Sequence, residues 1–347
     1  TSGAYNIAIG FNAADAVSIG ERNVAIGYSA LTNEVQGGAN TAVGSSALVT
    51  QNAGGTTGSN VNTFNTAVGA NAGYTISTGK HNTILGAYAG DGFDTESNIT
   101  LVGYNAGGGG INGGNHLVAM GANALSAAAT ESGTVAIGSS ALASLAGGAG
   151  NLAIGYNCMS AQTDGARNIA IGESAAMTMN SGEENNIAIG FDAMKTLDHG
   201  DADNNICIGA YSGDAMGALA NSHNIFLGAN SGGGTWATTA SSYNVGLGSF
   251  ALAGAMNGAL SNTGVGYVAL TAVTTGDYNT ALGAEAGDGL ETTSQNTAIG
   301  YRALSGAAGG SNVAVGQAAL LAGTGDQNTV VGAQAMYLSG AVDYCAV

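Results

Sequence analysis

The sequence predicts an all-β chain, a parallel β-solenoid of about 19 coils with 17–18 residues each. Three observations point there. A five-residue motif of Asn, two aliphatic positions around a small one, and Gly recurs from end to end, first as Asn6, Ile7, Ala8, Ile9 and Gly10. Its Gly anchors run from Gly10, Gly27 and Gly44 to Gly332, giving 19 anchors and a mean step near 17.9 residues. Two periods coexist: side chains alternate with a period of two inside the motif, as in a strand, whereas a helical repeat would need about 34 residues or more.

Each column of the coil has its own rule. The residue before the anchor is Ile, Val, Leu or Met in all 19 units, and three before it stands Thr in 8 and Ile, Val or Leu in 11. Four before the anchor is Asn in 16 units, with Ile99, Leu117 and Thr134 as the exceptions. Three after it the residue is always small: Ala in 16, Ser212, Ser231 and Cys158. A column that refuses anything larger than Cys is sterically confined. Most steps are 17 or 18 residues; Gly44 to Gly69 is 25, and the three steps from Gly190 to Gly248 are 19, 19 and 20. The Ala-rich link 141–145 has helical propensity, but Gly147, Gly148 and Gly150 leave it no room. The repeat is continuous, so residues 1–347 are read as one solenoid domain.

Alternation places Asn, the small residue and Gly on one face of the strand and the aliphatic or Thr residues on the other. A narrow lumen suits small groups and stacked amides, which can bond to adjacent coils. The aliphatic face then points outward, and an apolar stripe of that size implies association with further copies. The reverse assignment, Ile and Val filling the lumen of a single chain, is the alternative. The large residues Ile84, Leu101, Phe226 and Val330 in the small inner column speak for it.

Composition narrows the function classes. The chain of 347 residues has 61 Gly, no Pro, 5 Lys and Arg against 22 Asp and Glu, and a net charge of −17. That balance excludes nucleic acid as a partner by charge. Gly below a fifth of the chain without Pro excludes collagen, and 45% apolar residues argue against disorder. No apolar run reaches the roughly 18 residues of a membrane helix, so no membrane insertion is expected.

The strings Asn23-Val-Ala-Ile-Gly27, Asn65-Thr-Ala-Val-Gly69, Asn168-Ile-Ala-Ile-Gly172 and Asn296-Thr-Ala-Ile-Gly300 resemble the head repeats of trimeric autotransporter adhesins and related repeats of phage tail-fibre-like proteins. The resemblance spans Asn6 to about Ala335. It implies a left-handed parallel β-roll that assembles as a homotrimer and binds host-surface or matrix ligands. The coil is longer than in those heads, and no heptad stalk, neck or membrane barrel follows. A start at Thr1, without initiator Met or signal peptide, reads as a processed product or a fragment. Joining Gly332 of one copy to Gly10 of the next would repeat the internal 25-residue step, which suggests head-to-tail stacking.

Candidate chemistry is sparse. Cys158 and Cys207 occupy columns filled mainly by Ala and read as small buried hydrophobes; Cys345 is a candidate inter-chain cross-link, and no disulfide framework is implied. Asp198, Asp201 and Asp203 offer oxygen ligands for Ca2+, as do Asp91, Asp94 and Glu96, although a solvated turn is the plainer reading of both links. His81, His116, His199 and His223 fall in different links, with no shared register read among them. Paired carboxylates for glycoside hydrolysis could arise between coils or between chains. The sequon at Asn98 lies in a repeat strand and reads as chance. Phe11, Tyr28, Tyr104, Tyr156, Phe191, Tyr267 and Tyr301 follow their anchors and suit packing on a neighbouring coil or stacking on sugars. The enlarged links 45–64, 191–204, 210–223 and 229–243, the last with the lone Trp236, are where a ligand would bind.

The reading is a non-enzymatic structural fibre or adhesin. It is expected to be extracellular, on a cell surface or on a virion, with further copies of itself and a surface glycan or protein as partners. The alternatives are a receptor-binding or polysaccharide-degrading tail fibre and, last, an ice-binding protein with Thr files at Thr41, Thr66, Thr83 and Thr100 and at Thr263, Thr280 and Thr297.

Overall fold

The computed structural model describes residues 3–54, 61–110, 113–127, 132–180, 182–306 and 308–337. The chain divides into two compact units, Thr1–Arg167 and Asn168–Val347. Each is a parallel β-solenoid with one three-residue strand per coil. In the first unit the strands are Ile7–Ile9, Val24–Ile26, Thr41–Val43, Thr66–Val68, Thr83–Leu85, Thr100–Val102, Val118–Met120, Val135–Ile137 and Leu152–Ile154. In the second they are Ile169–Ile171, Ile187–Ile189, Ile206–Ile208, Ile225–Leu227, Val245–Leu247, Thr263–Val265, Thr280–Leu282, Thr297–Ile299, Val313–Val315 and Thr329–Val331. Neighbours pair column on column, Val24 with Thr41 and Ile187 with Ile206. The 25-residue step keeps that register, Thr41 opposite Thr66, and adds a short side pairing of Gly37–Gly38 with Val61–Asn62. Among the described residues no helix forms, and the Ala-rich link is a run of turns.

The faces are as the alternation predicts. In every strand except Ile7–Ile9 the middle residue is buried and its two neighbours are half-buried or exposed. Asn is buried in the lumen, where its carboxamide bridges coils. Asn23 Oδ1 accepts the Asn40 N–H at 3.0 Å, and Asn23 Nδ2 donates to Gly37 O at 2.8 Å. In the second unit the ladder runs unbroken through ten residues, from Asn168, Asn186 and Asn205 to Asn312 and Asn328. A rung such as Asn262 satisfies a backbone donor and a carbonyl that the lumen would otherwise bury unpaired.

The anchor Gly is required by contact as well as conformation. Gly266 has φ +136°, and a Cβ there would stand 2.4 Å from Gly283 O of the next coil. Three further columns adopt left-handed φ at residues other than Gly: five before the anchor and the second and fourth after it, as in His81 (58°), Ser140 (58°) and Leu142 (49°). Such residues cost roughly 1–2 kcal/mol each. Asn and Ser tolerate them, but Leu is there because its side chain fills the lumen, as in the fully buried Leu142.

The large inner residues do not reverse the faces. Phe226 is fully buried, and a Cβ on Gly232 across the lumen would lie 2.6 Å from its ring. Leu101 is likewise accommodated by Gly107 and Gly90. Conversely, Gly264 in the inner column is matched by Leu270. Volume is conserved across the lumen, and this compensation answers the objection raised by the large residues.

A second polar ladder runs six residues before the anchor, where sequence reading saw only turns. Ser97 Oγ accepts the Lys80 N–H, Asn115 Oδ1 the Ser97 N–H and Ser132 Oγ the Asn115 N–H, at 2.8–3.0 Å. In the second unit Asp203, Ser222 and Ser242 repeat it. Here the later coil accepts from the earlier one, opposite to the Asn ladder.

Candidate functional site

The outward strand face recurs on every coil. Its two columns, three and one before the anchor, hold no charged residue in any of the 19 units. Leu85, Leu282 and Val331 are about half exposed. At about 4.8 Å per coil and 3.3 Å per residue, the strand face covers roughly 430 Å² in the first unit and 480 Å² in the second. Patches of that size on soluble proteins mark interaction sites. Thr41, Thr66, Thr83 and Thr100 stand on successive rungs of this face, as do Thr263, Thr280 and Thr297.

Aromatic rings border the face on both sides. The seven residues after the anchors are all exposed, from Phe191 at 41% to Phe11 at 69%. Phe11 stacks on Tyr28 at 5.7 Å and 11°, while Tyr104, Phe191 and Tyr267 meet Tyr88, Tyr211 and Phe250 edge to face. These rings use their neighbours on adjacent coils as partners. The opposite border, five before the anchor, was missed in the sequence. It carries Tyr5, Phe64, His81, His116, His223, Tyr243 and Tyr278, all exposed. His81, His116 and His223 thus do share a register, with φ of 58°, 60° and 61°. His is among the residues that tolerate left-handed backbone, and the stacks Phe64–His81 (5.6 Å) and His223–Tyr243 (5.0 Å) hold two of the rings. His199 lies apart, in an enlarged link. Asn98 is in the same border and exposed, so its sequon faces outward.

The enlarged links carry their own core. Leu197, Met216 and Trp236 are buried beneath links 191–204, 210–223 and 229–243, with Trp236 edge to face on Phe226 at 5.9 Å. Trp236 is therefore packing; the link offers Thr235, Thr238 and Thr239 at its surface. Of link 45–64, residues 55–60 lie outside the described residues, as does Cys345.

Among the described residues no three His, Cys, Asp or Glu side chains gather to hold an ion. Asp203 Oδ1 accepts the Glu184 N–H at 2.7 Å, and the Asp201 side chain is 87% exposed. Asp198 is half-buried. Glu96 turns inward, and its carboxylate accepts the N–H groups of Asp94, Thr95 and Gly113. Burial pushes the nearby Asp91 carboxyl up.

Asp192 and Asp214 lie on successive coils and influence each other electrostatically. Asp192, buried, accepts from Lys195 Nζ at 2.9 Å, and Asp214 on the following coil has its carboxyl pushed up by burial and then by the Asp192 charge. Cys158 and Cys207 are fully buried thiols outside any disulfide, as the small columns imply. Burial pushes Cys158 up to about 12 and Cys207 up as well, which makes both poor nucleophiles.

These features define a β-solenoid repeat protein with an apolar outer face, aromatic borders and one group of consecutive enlarged links. The chain matches no protein-family model and no curated protein sequence.

Proposed function

We propose that the protein is a non-enzymatic structural fibre or adhesin, working outside the cell, on a cell surface or on a virion. Its units are stiff stacks of coils that associate with two further copies along the strand face, while the enlarged links recognise a surface glycan or protein. The resemblance to adhesin heads, with their left-handed coils, supports the trimer. The observation that carries the reading is the uncharged face of aliphatic and Thr residues on in-register strands of a chain with net charge −17. A surface kept free of charge on so acidic a protein suits an identical neighbour better than a charged ligand.

Mass measurement in solution tests it. The protein should run as a trimer, and Ile189→Lys with Leu227→Lys should reduce it to a monomer with unchanged circular dichroism. A monomer at tens of micromolar protein, under conditions where the fold is intact, would sink the reading. A glycan-cleaving fibre is the second reading, and Asp192 with Asp214 is the observation that favours it. Release of reducing ends from polysaccharides, lost in Asp214→Asn, would establish it.

A further inference from the structure

We propose that Tyr88 and Tyr104 form an oxidative cross-linking site, where the two phenols couple to a dityrosine that staples successive coils. Tyr88 stands two residues after Gly86 and Tyr104 directly after Gly103. Their rings meet edge to face with centroids 5.9 Å apart, and they are 43% and 58% exposed. The backbones beneath are pinned across coils, with the Tyr88 N–H donating to Ala70 O and the Asn105 N–H to Ala87 O. Coupling therefore needs only rotation of two exposed side chains. Among the described residues this is the one ring contact between two phenols. Phe11–Tyr28, Phe250–Tyr267 and His223–Tyr243 each hold only one.

The co-reactant is hydrogen peroxide activated by a haem peroxidase. Each phenol gives up one electron and one proton, and the peroxide takes up both pairs to become two waters. The two phenoxyl radicals join through their ortho carbons, and the hydrogens on those carbons move to the oxygens, restoring both rings. The product closes one coil covalently and constrains the unfolded chain, as a disulfide does. Neither tyrosine belongs to the strand columns proposed for self-association, so the two readings fail separately.

Treating the full chain with a haem peroxidase and dilute peroxide tests the site. Expected are biphenol fluorescence, a monomeric chain lighter by two hydrogens, and a cross-linked peptide pair containing residues 88 and 104. A rise in melting temperature should accompany them. Tyr88→Phe and Tyr104→Phe, which keep the ring packing, should each abolish the linked peptide, and Tyr28→Phe should not. Full yield of fluorescence in Tyr88→Phe, or cross-links only between chains, would overturn the proposal.

Discussion

The two units build the same coil with different continuity in its amide ladder. In residues 168–347 every coil contributes an Asn, and each N–H reaches the previous carboxamide at 2.8–3.0 Å. In residues 1–167 the last link is Ile99 N–H to Asn82 Oδ1, after which Ile99, Leu117 and Thr134 fill the column before Asn151. Unpartnered buried polar atoms do not separate the units: the first has Asn40 Nδ2 at the 25-residue step, Thr134 Oγ1 and both amide atoms of Gln162, and the second has Asp214 Oδ1 and Trp236 Nε1. The difference teaches that the coil depends on filling the lumen, with amides or with hydrocarbon. The ladder adds stability wherever it is complete.

The largest expected effect attacks what both units share. Gly266→Ala would drive a Cβ into Gly283 O at 2.4 Å, and it should cost at least about 3 kcal/mol in urea unfolding or abolish folding. An equal loss at Gly138, whose Cβ would meet Gly155 O at 2.3 Å, would show the anchor rule to be common to both units.

Next comes the ladder itself. Asn262→Ala strands the Asn279 N–H and Gly276 O, both now paired, and should destabilise the protein by about 2–4 kcal/mol. A change below about 0.5 kcal/mol would mean that the ladder merely decorates the lumen. The converse variant belongs to the first unit: Gln162→Met removes two unpaired buried atoms and should stabilise by about 1–2 kcal/mol, read in the same unfolding curves.

The smallest effect is the pH dependence of the thiols, with Cys158 in the first unit and Cys207 in the second. Their folded-state pKa values are raised by burial, so the unfolded chain ionises first. The stabilisation is fully present below the ordinary thiol value of 9.0 and is lost as pH rises toward about 12 for Cys158. Cys158→Ala should flatten the alkaline side of the stability profile. Thiol reagents should label neither Cys158 nor Cys207 in the folded protein at pH 8; labelling without unfolding would contradict their burial.

Much of this was legible before any coordinates. The strand, the step and the inward Asn follow from columns that repeat 19 times. The opposition of Phe226 and Gly232 was also open to view, since a large inner residue coincides with Gly six positions on at Ile84, Leu101 and Phe226. The Ser and Asp ladder was not legible, because Ser97, Ser132 and Asp203 in a link look like ordinary turn residues. The shared register of His81, His116 and His223 was overlooked because their column also holds Tyr, Asn, Ser and Gln. Trp236, in an enlarged Gly-rich link read as a place for a ligand, is core.

Coil length and the inward or outward sense of each strand residue are properties of the chain alone, because steric confinement and alternation act on every unit alike. Which carboxylate caps which N–H, which rings touch and which enlarged link buries a Trp arise only on stacking. Contacts such as Glu184 with Asp203 and Tyr88 with Tyr104 join residues a coil apart in sequence, and only the parallel register brings them within reach.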